Sequence, residues 1–127
     1  MYEVEITEWF SAAHRLRDYK GKCERLHGHN YRVQVAARSG SPGAGGMVID
    51  FGDLKSATRK VLEVLDHNYL NDLKPFDQIE PSAENIAYFI FNEVSDLLGS
   101  QASLLHSVAV WESSTSKATY VRDETPG

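Results

Sequence analysis

The chain has 127 residues, 42% hydrophobic and 24% charged, with one cysteine and a formal net charge of −5. That is the make-up of one soluble domain, and it argues against disorder, collagen, coiled coil and an internal disulfide framework. The acidic balance argues against a general nucleic-acid binder, and no apolar run is long enough to span a membrane.

The opening Met1-Tyr2-Glu3-Val4-Glu5 is neither a signal nor a transit peptide. Together with the lone Cys23 it sets the expectation of a cytoplasmic protein. Tyr2, Val4 and Ile6 alternate with Glu3, Glu5 and Thr7, which predicts a half-buried strand over residues 2–10. A basic island follows, in which Arg15, Arg17, Lys20, Lys22 and Arg25 meet only Asp18 and Glu24. Such an island suits a compact anionic ligand, and equally a solvated loop.

Tyr31, Val33, Val35 and Ala37 alternate with Arg32, Gln34 and Arg38 in a second strand. The glycine-rich run Ser39 to Gly46 lacks the lysine and spacing of a phosphate-cradling loop and reads as a hairpin connection. Met47 to Phe51 is then a short extended run. Leu54, Ala57, Val61, Leu62 and Leu65 recur at helical spacing, predicting a helix over 53–65 with Asp53 or Asp50 as N-cap. After a loop containing Pro75 and Pro81, Ser82 caps a second helix ending near Gly99, with Ile86, Phe89, Ile90, Val94 and Leu97 inward. Val108, Val110 and Glu112, and then Ala118 to Arg122, supply two closing strands. The order strand, strand, helix, helix, strand, strand predicts an α+β domain over 1–127. Its four-stranded antiparallel sheet carries both helices on one face, and apolar rows on the other invite a partner subunit.

Candidate chemistry is densest at Cys23-Glu24-Arg25-Leu26-His27-Gly28-His29. Side chains two apart on an extended backbone share a face, so His27 and His29 can share a metal ion, or stand as a surface pair with no ligand. If the first two strands form a hairpin, His14 arrives beside them; three imidazoles with a free fourth position are the pattern of a catalytic zinc. Cys23 can close that site as a fourth ligand, stay inert, or act as a base beside the cation. Asp66-His67 offers a carboxylate that orients a proton-relaying histidine, or merely a histidine at a helix end. Glu112 is a solvated strand-end carboxylate or an acceptor of two hydrogen bonds from a planar N–H edge.

Six segments in this order resemble the 6-pyruvoyl-tetrahydropterin synthase family over nearly the whole chain, and in particular its bacterial 6-carboxy-tetrahydropterin synthase branch. They are Phe10-Ser-Ala-Ala-His14-Arg-Leu, Cys23-Glu-Arg-Leu-His27-Gly-His29-Asn-Tyr, Met47-Val-Ile-Asp-Phe-Gly-Asp-Leu-Lys55, Leu65-Asp-His67-Asn-Tyr-Leu-Asn71, Pro81-Ser-Ala-Glu-Asn85 and Trp111-Glu112-Ser-Ser. The resemblance implies a tunnelling fold, a homohexamer of two stacked trimers, and a site at a subunit interface. It implies one zinc per subunit on His14, His27 and His29, with Cys23 as general base. His67, oriented by Asp66, is then the proton relay, and Glu112 the anchor of the pterin ring.

The implied substrate is 7,8-dihydroneopterin triphosphate. The carboxy branch releases acetaldehyde and triphosphate on the way to queuosine, and the pyruvoyl branch releases triphosphate only. The short gap from Cys23 to His27 is similar to the carboxy branch, whereas Glu24 keeps open a folate-related type in which the cysteine is replaced or shifted. Arg17 and Lys22 are expected to face the triphosphate. A rival of another class is a non-catalytic module that binds a pterin or purine, with zinc in a closed four-ligand site.

Overall fold

The structure is a computed structural model, and it describes residues 1–123. Strand β1 (Tyr2–His14) and strand β2 (His27–Ser39) pair antiparallel along their whole length. Helix α1 (Phe51–Leu65), a two-residue strand β3 (Asn68–Tyr69) and helix α2 (Ala83–Leu98) follow, then β4 (Leu105–Ser113) and β5 (Ser116–Val121). The sheet order is β3-β1-β2-β4-β5. The expected α+β layout of two helices on an antiparallel sheet is present, with a fifth strand added. β3 runs parallel to β1 at Ala12 and Ala13 and was invisible to periodicity because two residues carry no alternation.

Several boundaries differ from expectation for local reasons. β1 continues past residue 10, so His14 ends the strand instead of lying beyond it, and β2 starts at His27 instead of Tyr31. Residues 47–50 do not extend as a strand. Asp50 is the N-cap of α1, its carboxylate accepting from the Gly52 amide at 2.7 Å, so the helix starts at Phe51. Ser82 caps α2 as expected, accepting from the Asn85 amide at 3.2 Å.

Alternation sends Ile6, Phe10, Tyr31, Val33, Val35, Val108 and Val110 to one sheet face, where they are buried. Leu54, Val61, Leu62 and Leu65 of α1 and Ile86, Ile90 and Val94 of α2 close over them in one core. Each such side chain contributes roughly 1.5–3 kcal/mol through removal from water. The opposite face is not a set of apolar rows. Across it Trp9 pairs with Arg32, Arg32 with Trp111 and Trp111 with Lys117, and Gln34 accepts the Trp111 indole N–H at 2.8 Å. The Arg32 guanidinium lies 4.0 Å from the Trp111 ring centre and the Lys117 ammonium 5.1 Å.

Candidate active site

Strand register builds the centre of the site. His14 lies opposite His27, and His29 opposite Ala12, so all three histidines stand at one end of the sheet on its helix-covered face. One nitrogen from each ring lies within 4.8 Å of the others, and His14 Nε2 is 3.0 Å from His27 Nε2. The outer nitrogens fix the tautomers. His14 Nδ1 donates to the Pro81 carbonyl and His27 Nδ1 to the Arg25 carbonyl, each at 2.7 Å, which leaves both Nε2 lone pairs facing inward. His29 Nε2 is buried without a hydrogen-bond partner among the described residues. Burial pushes the His29 pKa down, the Glu112 carboxylate opposes that, and His14 and His27 add to the fall. A neutral, orphaned nitrogen between two oriented neighbours fits a divalent cation held by three imidazoles.

Glu112 reaches this centre from β4, with Oε1 4.0 Å from His14 Nε2 and Oε2 4.0 Å from His29 Nε2. Beneath the rings Tyr31 is fully buried, stacked on Phe10 at 4.6 Å and edge-on to His29 at 5.3 Å. Burial drives its phenol pKa upward, and its hydroxyl has no hydrogen-bond partner among the described residues. Cys23 is exposed and is not among the converging ligand atoms of His14, His27 and His29.

Asp66 and His67 do form a pair, with His67 Nδ1 2.8 Å from Asp66 Oδ2. Asp66 Oδ1 also accepts the Ser11 amide at 2.9 Å, and the His67 amide donates to the Ser11 carbonyl at 2.6 Å. The Ser11 amide first, and then His67, hold the Asp66 carboxyl below its usual range. His67 adopts a left-handed φ of 59°, which those bonds on Ser11 enforce. Its side chain is 82% exposed and lines an open cavity of about 500 Å³ with Ser11, Ala13, His29, Asn30 and Tyr69.

The basic island is a small hairpin. Tyr19 and Lys22 exchange both backbone bonds around Lys20 and Gly21, whose φ values of 53° and 78° are those of a primed turn. Lys22 is exposed on that hairpin. Arg17 is occupied within the protein. Its guanidinium donates to the carbonyls of Ile79, Asn71 and Phe76 and sits 3.6 Å from Glu80, a set of partners that weighs against a second task on a triphosphate. Glu24 is equally engaged, accepting the Leu16 amide at 3.1 Å and lying 3.9 Å from His27 Nδ1.

Sequence reasoning missed Asn71, Glu80 and the Pro81 carbonyl as site supports. The first and last fall inside quoted segments, but a hydrogen bond to a backbone atom leaves no mark on residue spacing.

Three comparisons with known proteins agree. The family profile described as 6-pyruvoyl tetrahydropterin synthase matches residues 3–123. A 6-carboxy-5,6,7,8-tetrahydropterin synthase of a Synechocystis species is 40% identical over 87% of this chain and 86% of its own. One from Haemophilus influenzae is 34% identical over 94% and 99%. Among solved structures, the Caenorhabditis elegans 6-pyruvoyl tetrahydropterin synthase superposes with a TM-score of 0.85 over 96% of each chain at 32% identity.

Proposed function

This chain belongs to the 6-pyruvoyl tetrahydropterin synthase family, and from that premise we propose that it is a zinc-dependent 6-carboxy-tetrahydropterin synthase. With one water as co-reactant, it converts 7,8-dihydroneopterin triphosphate to 6-carboxy-5,6,7,8-tetrahydropterin with release of acetaldehyde and triphosphate, a step of 7-deazaguanine synthesis in the cytoplasm. The whole of 1–127 acts as one domain of this kind.

The observation that carries the reading is the convergence of three oriented imidazole nitrogens within 4.8 Å, with a carboxylate 4.0 Å from two of them. His14, His27 and His29 hold zinc, which when bound polarises oxygens of the substrate side chain as a Lewis acid. Glu112 accepts two N–H bonds from the edge of the pterin ring and so fixes its orientation over the histidines. Cys23, as thiolate, removes a proton from the side chain. His67, held in one tautomer by Asp66, gives or takes the second proton at its Nε2.

His67 points into solvent within one chain, and both sheet edges, β3 and β5, lack a neighbour among the described residues. Both features favour a site completed by a second copy, in keeping with a hexamer of two trimers. Among the described residues no helix is long and apolar enough to cross a membrane. The carboxy branch is favoured over the pyruvoyl branch by the named relatives at 40% and 34% identity and by the short step from Cys23 to His27.

Zinc-loaded protein incubated with dihydroneopterin triphosphate should yield acetaldehyde and a carboxylated pterin. A pyruvoyl product moves the chain to the other branch, and no turnover of any pterin rejects both.

A further inference from the structure

We propose that Glu80 and Arg17 are positioning residues that register the Cys23 hairpin against the three-histidine centre. The inference rests on the reading of Cys23 as the base at that centre. Its outgoing arm, residues 15–18, is bolted to the loop before α2. Asn71 clamps both the amide and the carbonyl of Arg15, at 3.0 and 2.9 Å. Glu80 accepts the Arg17 amide at 2.9 Å and the Asp18 amide at 3.1 Å, one on each carboxylate oxygen. Arg17 then inserts its guanidinium among the Ile79, Asn71 and Phe76 carbonyls, so the loop grips the arm from both sides.

The returning arm, which carries Cys23, is tied chiefly to the outgoing one. Lys22 exchanges backbone bonds with Tyr19, and the Glu24 amide donates to the Leu16 carbonyl at 2.8 Å. The arm that carries the sulfur is therefore attached at Leu16 and Tyr19, and these flank Arg17 and Asp18, whose amides Glu80 holds.

Glu80 is also next to Pro81, whose carbonyl accepts His14 Nδ1 at 2.7 Å, and its own carbonyl accepts the Asn85 side-chain amide at 2.9 Å. Two adjacent residues thus hold the thiol-bearing hairpin with one group and a metal ligand with another. Burial raises the Glu80 pKa, but the Arg17 and Asp18 amides and the Arg17 charge outweigh it and leave the carboxyl below its ordinary value. At neutral pH the clamp is ionised and closed. A general base displaced by about 1 Å loses on the order of a hundredfold in rate, so a clamp remote from substrate governs turnover.

The test reads position directly. The protein is spin-labelled at Cys23 and loaded with one equivalent of Cu²⁺, which three imidazoles accept. The copper–nitroxide distance distribution should be narrow in the parent and broadened in Arg17→Ala and in Glu80→Gln, the milder change. Without the label, and with zinc bound at full stoichiometry, both variants should lose roughly ten- to a hundredfold in kcat, with KM for the triphosphate held within about twofold.

Unchanged distance distributions in both variants overturn the proposal. So does a salt-dependent rise in KM at constant kcat in Arg17→Ala, which makes the guanidinium a phosphate ligand. If Arg17→Ala fails to fold, Glu80→Gln decides alone. The distance measurement needs no turnover, so it stands apart from a failure of the pterin reading.

Discussion

The histidine centre and the Cys23 hairpin adjoin one another yet are held in place by different means. The three histidines stand on β1 and β2, paired through thirteen register positions, so backbone hydrogen bonds shared with the whole sheet set their spacing. The thiol stands on a loop whose place depends on a handful of side-chain bonds from Asn71, Glu80 and Arg17. A metal site tolerates little error in ligand distance and is built from the stiffest part of the fold. The thiol proposed as base is carried on a part that side chains can retune.

The sharpest way to break this comparison is to remove a ligand. His27→Ala should lose zinc and at least about a thousandfold in activity while the far-ultraviolet circular dichroism stays unchanged, because backbone pairing of β1 with β2 holds the sheet. Chelation should reproduce that loss, and readdition of zinc should reverse it. Unfolding on either treatment would make the metal structural and erase the distinction.

Cys23→Ser should come next, costing roughly 10²–10⁴-fold in kcat with one zinc per chain still measured by atomic absorption. Loss of metal in that variant would restore the closed four-ligand site. A smaller effect, roughly a hundredfold in kcat, is expected for Asp66→Asn, with the alkaline or acidic limb of the pH–rate profile displaced. An unmoved profile would detach His67 from proton transfer.

The smallest effect concerns the clamp. Glu80 has a folded pKa below its unfolded value, so the stability it contributes is full above the ordinary glutamate range, about 4.3. That stability is lost as pH falls through the lower folded value. Glu80→Gln should cost about 1 kcal/mol at neutral pH and flatten the acid side of the stability curve. Denaturation at pH 7 and pH 3.5 measures the difference, and equal slopes for parent and variant would contradict it.

Some of this was legible in residue order, and the reason lies in range. The histidine trio could be foreseen because two residues apart on a strand means one face, and a hairpin brings the far end of β1 to the near end of β2. The Ser82 cap is local chemistry legible from a few neighbours, whereas residue order leaves Asp50 and Asp53 as alternatives for α1 and only the structure selects Asp50. Arg17 was not legible: it reads as one cation in a basic run, and only the folded loop assembles carbonyls from residues 71, 76 and 79 around it. β3 escaped for the same reason, since its pairing is steered by the bonds of Asp66 and His67 to Ser11, more than fifty residues away.

Both tryptophans of the chain, Trp9 and Trp111, lie on the sheet face that the helices leave bare. The protein's tryptophan emission, excited selectively over that of its six tyrosines, is therefore a built-in gauge of that surface. Anything that settles on it should move the emission maximum, while repacking beneath the helices leaves the glow unaltered.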